Sequence, residues 1–98
     1  MPSISELVDE ATLRTLAGEG AFEKGEACLG GGCIGFVATT PREVTAVIRD
    51  GHVYNTIVRT VDGTLGWACS CGDVTREAPC RHVVALALAL KKEPQLGQ

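Results

Sequence analysis

The spacing of apolar positions changes character twice along the 98 residues, dividing the chain into three parts. In the first part Leu7, Leu13, Leu16 and Ala17, with Ala11 nearby, recur at helical spacing. Ser3-Ile-Ser-Glu6 forms a capping box at its start, and Gly18 is placed to end it. A second, short helical piece is expected over Ala21 to Ala27. The run C-L-G-G-G-C, Cys28 to Cys33, breaks helical spacing and leads into alternation.

Three strands read out in the second part, at Ile34–Thr39, Val44–Arg49 and Val53–Val61. Val44, Ala46 and Ile48 alternate with Thr45, Val47 and Arg49, as a half-buried strand requires. Pro41 marks the first turn, and Asp50-Gly51 and Asp62-Gly63 are hairpin dipeptides that tolerate positive φ. Gly66–Cys71 adds a fourth short strand to this antiparallel meander. The third part is a helix from Arg81 to Lys92, with Lys91 and Lys92 complementing its C-terminal dipole and Pro94 stopping it. Val83, Leu86, Ala87 and Leu90 form one stripe, while Val84 and Leu88 point elsewhere, so this helix should be buried on both sides. One side can cover the sheet; the other needs the N-terminal helix or a partner.

The expected fold is thus α+β: an N-terminal helix, an antiparallel β-meander of three to four strands, and a C-terminal helix. One domain spans 1–98, with a helical lead-in (1–27), the meander (28–71), a clasp and C-terminal helix (69–92) and a loose tail (93–98). This length leaves no room for a second core. Hydrophobic residues make up 45% but aromatics only 4%, so a core of small aliphatics calls for an additional staple.

MPSISELVDE has neither a basic region nor an apolar run, which argues against a secretory signal. The longest apolar run, Val83 to Leu90, falls well short of the about 20 residues of a membrane span. A cytoplasmic protein without membrane contact is expected, and there clustered cysteines favour metal over disulfide. The net charge of −3 is uneven. Residues 1–26 carry six acids against Arg14 and Lys24, whereas residues 27–98 carry seven bases and six acids. No excess of Lys and Arg marks a phosphate-binding surface.

The stretch C-S-C-G-D-V-T-R-E-A-P-C-R-H, residues 69–82, changes the picture most. If Cys69 and Cys71 share one side of a strand end, both sulfurs turn to one point. Cys80 should lie at or before the helix N-cap, with His82 projecting from the first turn. Gly72 to Pro79 is long enough to fold back between the pairs. Three thiolates and an imidazole compose a closed tetrahedral zinc site, so one structural Zn²⁺ is expected on Cys69, Cys71, Cys80 and His82. Its net −1 suits a helix N-terminus, with Arg76 and Arg81 near in sequence. A redox dithiol at Cys69 and Cys71 would leave Cys80 and His82 without a role. A catalytic Cys–His pair needs a free thiolate, which the metal consumes.

Cys28 and Cys33 are expected to be packed or reactive thiols; the alternative is a second zinc site in which His52 joins them. His52 itself is expected as an exposed turn residue. The glycine run lacks the lysine and the strand-to-helix context of a phosphate loop.

The pattern CxC, spacer, CxH, carried by Cys69, Cys71, Cys80 and His82, resembles the SWIM-type zinc finger, and CRHVVALALAL resembles the helix that follows its ligands. LRTLAGEGAFEKGEACLGGG is similar to the helical lead-in of bacterial members, followed by a meander and a tryptophan near the CxC, here Trp67. The likeness runs from about Leu13 to Leu90, although family members often have aromatic residues where Ala27 and Cys28 stand. It implies zinc binding, and binding of DNA or protein by a module found beside helicase-type ATPases, in plant transposases and in a vertebrate kinase.

Two functions follow as expectations. A protein-interaction module fits the acidic lead-in, the near-neutral remainder and the doubly apolar last helix, which also offers a route to homo-oligomers. A nucleic-acid-binding finger would use Arg42, Arg49, Arg59, Arg76, Arg81, Lys91 and Lys92, with Tyr54 or Trp67 as a stacking platform. Neither a carboxylate pair nor an open metal position supports an enzyme, and no small-molecule substrate is expected.

Overall fold

The computed structural model describes residues 9–40, 43–61, 64–72 and 78–92. The Ser3–Glu6 box, Leu7, Pro41, Asp62-Gly63 and the tail 93–98 lie outside them. Helix α1 spans Glu10–Ala17. Asp9 caps it: one carboxylate oxygen accepts from the Ala11 amide at 3.3 Å and the other from the Thr12 hydroxyl at 3.0 Å. Gly18, at φ 85°, ends α1 as expected and opens α2, Glu19–Gly30. This sharp junction folds α2 back so that Leu13 and Phe22 are both buried.

Helix α2 is longer than the Ala21–Ala27 piece expected, because the glycine run acts only at its far end. Gly32, at φ 75°, donates to the Leu29 carbonyl, and the Cys33 amide reaches back to the Cys28 carbonyl at 3.1 Å. These two bonds define a Schellman stop, which needs a left-handed residue at Gly32. Helical spacing therefore persists through Cys28, Leu29 and Gly30.

Strands β1 (Ile34–Thr39), β2 (Glu43–Asp50), β3 (His52–Val61) and β4 (Thr64–Cys69) form one antiparallel sheet in the order β1-β2-β3-β4. The meander is as expected, with register pairs Val44↔Val58 and Ala46↔Thr56 between β2 and β3. Val44, Ala46, Ile48, Thr56 and Val58 face inward and are fully buried. A bulge interrupts β1 between Ile34 and Phe36. The fourth strand starts earlier than expected and stops at Cys69; Ser70 and Cys71 are in a turn. That turn is fastened to β3 by Ser70 N–H to the Asn55 carbonyl and by the Asn55 amide to Ser70 Oγ, each 3.0 Å.

Helix α3 (Arg81–Lys92) lies between the sheet and the other two helices. Val83, Leu86 and Leu90 pack with Val44, Ala46, Ile48 and Val58 of the sheet. Val84, Ala87 and Leu88 pack with Leu13 and Phe22. Every residue from His82 to Leu90 is buried. The doubly apolar helix is thus covered on both sides within the chain. Helices α2 and α3 approach closely at Gly25, where a Cβ would lie 2.5 Å from Val84 Cγ1 and 2.9 Å from the Arg81 carbonyl oxygen. Among the described residues no helix covers the outer face of the sheet, where Val53 is 65% exposed and Val61 47%.

Candidate metal centre

The end of β4 and the start of α3 bring Cys69, Cys71, Cys80 and His82 together, with all four donor atoms within 4.8 Å of one another. Cys69 is the last residue of its strand. Cys71 reaches the site from the turn rather than from the strand, so the expected alternation is replaced by a chain reversal. Cys80 immediately precedes α3, its carbonyl accepting from the Val84 amide at 3.0 Å. Its sulfur also receives the Val83 amide, as an N-cap side chain would. His82 follows in the first turn, as anticipated.

Burial pushes the Cys80 thiol up to about 12, and neighbouring Cys69 and Cys71 add to the rise against the Val83 amide. Three thiolates at such distances need a cation. A tetrahedral divalent ion meets that need, and the soft, mainly sulfur donor set selects zinc. The site is a closed Cys3His centre for one structural zinc, and no position is left for water or substrate.

The orientation of His82 is defined by both ring nitrogens. Nδ1 lies 3.5 Å from Cys69 Sγ, on the metal side, and Nε2 lies 2.9 Å from Asp50 Oδ2. Nδ1 is therefore the ligand atom and Nε2–H donates to Asp50, the carboxylate–histidine–metal arrangement. Hydrogen bonds from His82 and then Arg81 hold the Asp50 carboxyl below its ordinary range. The Arg81 contact is 2.7 Å, from Nε to the same Oδ2. Tyr54 stacks on the His82 ring at 4.5 Å between centroids. Two residues further along β3, the buried Thr56 hydroxyl lies 3.2 Å from Cys69 Sγ and can donate to the thiolate. Thr56 and His82, the two buried polar residues of the described core, both serve the metal.

Asp50, Thr56 and Tyr54 were not legible as site residues. Asp50-Gly51 read only as a turn signal, and nothing in sequence spacing ties residue 50 to residue 82. Replacing Asp50 by Ala should weaken zinc binding by about 10–100-fold. Competition against a chromophoric chelator measures this, and an unchanged affinity would remove Asp50 from the site.

Cys28 and Cys33 take no part in the centre. They are joined by a disulfide, which overturns the expectation of free thiols and the alternative of a second zinc site. They occupy the two positions of the Schellman stop whose side chains normally meet in a hydrophobic contact. Cx4C ending one residue past a glycine was the available signal. His52 is exposed as expected, but begins β3 and lies edge-on to Tyr54 at 6.3 Å.

Among the described residues the basic side chains do not all merge into one surface. Arg42, Arg76 and the Lys92 side chain lie outside the described residues. Arg59 approaches Glu43 at 3.8 Å, Arg81 is bound to Asp50, and exposed Lys91 sits at the far end of α3. Arg49 lines a cleft with Lys24 that Arg81 and Asp50 also border. Trp67 packs against the core beside Cys69 and Cys71, and Tyr54 is engaged with His82.

A metal clasp that joins a sheet edge to a buried helix defines a small zinc-binding module. The SWIM zinc finger family model matches residues 52–91, which include β3, β4, all four ligands and nearly all of α3. The likeness is thus confirmed for this segment, and the match begins after the helical lead-in and the first two strands. No curated protein and no solved structure matches the chain. Among the described residues no helix is long and apolar enough to cross a membrane.

Proposed function

We propose that the zinc clasp supports a protein-interaction surface on the outer face of the sheet. The observation that carries this is the uncovered apolar strip of Val53 and Val61 on β3, with half-buried Ile57 between them and Val47 across on β2. Scattered exposed hydrophobes are ordinary, but aligned on one uncovered sheet face they suit a partner with apolar side chains. Of the two strand-borne cations on this face, Arg59 faces Glu43, which reduces its attraction for phosphate, and Arg49 pairs across the strands with Val53. The closed metal centre supports a module without catalytic chemistry of its own. Localisation in the cytoplasm remains part of this proposal, on the grounds of composition given above.

Val53→Asp combined with Val61→Asp should leave zinc content and melting unchanged, because both positions face solvent. The pair should abolish capture of the partner that the unaltered chain retains from its host. The opposing outcome is tight, salt-sensitive DNA binding in a mobility-shift titration, unaffected by the Val53 and Val61 changes.

A further inference from the structure

Lys24 of α2, Arg49 of β2 and Arg81 of α3 line a cleft of about 590 Å³, together with Asp50 and both cysteines of the disulfide. Three cations against one carboxylate make this cleft electropositive on a chain of net charge −3. The disulfide is asymmetric: Cys28 is half-buried, whereas Cys33 is only 8% exposed. An approaching nucleophile therefore meets the Cys28 sulfur first. The pair closes a short loop that backbone hydrogen bonds already hold, Gly32 to Leu29 and Cys33 to Cys28. Those bonds do not depend on the sulfur–sulfur bond, so opening it leaves both thiols adjacent and ready to close again.

We propose that Cys28–Cys33 is a redox-active disulfide whose reductant is an anionic low-molecular-weight thiol admitted by the cationic cleft. The thiolate attacks Cys28 Sγ and forms a mixed disulfide. The electron pair of the broken bond leaves on Cys33 Sγ, which takes a proton from solvent. A second thiolate then attacks the small-molecule sulfur of the mixed disulfide, freeing Cys28 as a thiol and releasing the oxidised dimer of the reductant. Two electrons pass to the protein and two small thiols are oxidised. The reaction is stoichiometric with the chain and independent of the apolar sheet face.

The test exposes the full, zinc-loaded chain to reduced glutathione, which carries more carboxylate than ammonium charge. Cysteamine, a cationic thiol, serves as comparison at equal thiolate concentration. Alkylation followed by mass mapping of each cysteine reports the product. At low ionic strength Cys28–Cys33 should open about tenfold faster with glutathione, because several charges attract it over short distances. High salt and the Lys24→Gln/Arg49→Gln double variant should both remove that advantage, while circular dichroism shows the fold retained. Equal rates for the two thiols would overturn the proposal. So would a pair that stays closed under excess glutathione, or modification confined to Cys69, Cys71 and Cys80.

Discussion

Cys80→Ser is expected to leave a chain that neither holds zinc nor completes its sheet–helix core. The serine hydroxyl is a poor zinc ligand at neutral pH, and Cys80 is buried at the point where α3 begins. Losing this ligand frees the start of a helix whose residues from His82 to Leu90 are all buried. Structural zinc supplies about 10–16 kcal/mol of apparent binding free energy in small fingers, and whole domains are stable by only about 5–15 kcal/mol. The loss of the ion therefore exceeds what this aliphatic core can offset. Elemental analysis should find one zinc per chain in the unaltered protein and close to none in the variant. The melting transition should vanish, both in the variant and in chelated protein. Unaltered melting after zinc removal would show that the clasp is not needed for folding.

Gly25→Ala is the second severe change, and its cause is steric. A single added methyl would sit 2.5 Å from Val84 Cγ1, 2.7 Å from Val84 Cβ and 2.9 Å from the Arg81 carbonyl oxygen. Alanine favours helices by about 1 kcal/mol over glycine, so an open site would gain stability. Here the helices must separate, and overpacking costs about 1–3 kcal/mol or more. The displaced residues also adjoin the metal ligands Cys80 and His82. A lower urea midpoint with an unchanged slope is expected. Adding Val84→Ala should restore part of the loss, but not all, because the Arg81 carbonyl belongs to the backbone. A midpoint at or above that of the unaltered protein would show that α2 and α3 do not cross so closely.

Local signals explain which features could be read beforehand. Alternation at Val44, Ala46 and Ile48 gave the inner face of β2, and all three are fully buried. Helical spacing from Val83 to Leu90 gave a helix buried on two sides, but did not say what covers the second side. The fold places α1 and α2 there, which moves the candidate interaction surface from that helix to the open sheet. Cys69, Cys71, Cys80 and His82 were legible because metal ligation demands particular side chains at short separations. Asp50 and Thr56 were not, because each meets its partner across a sheet or from a distant strand. A carboxylate in a turn and a threonine in a strand are ordinary in those places.

The same division separates the two cysteine sets. Residue type and spacing sufficed for the zinc ligands, since the four donors gather wherever the chain can reverse between them. The pairing of Cys28 with Cys33 required knowing that α2 runs to Gly30 and stops with Gly32 in a left-handed conformation. Periodicity and donor chemistry are properties of neighbouring residues, and they prescribe the meander, the last helix and the zinc. Which nitrogen of His82 faces the metal, which carboxylate steadies it and which sheet face stays open depend on contacts between residues far apart in sequence. Those contacts arise only when the helices and the sheet have packed.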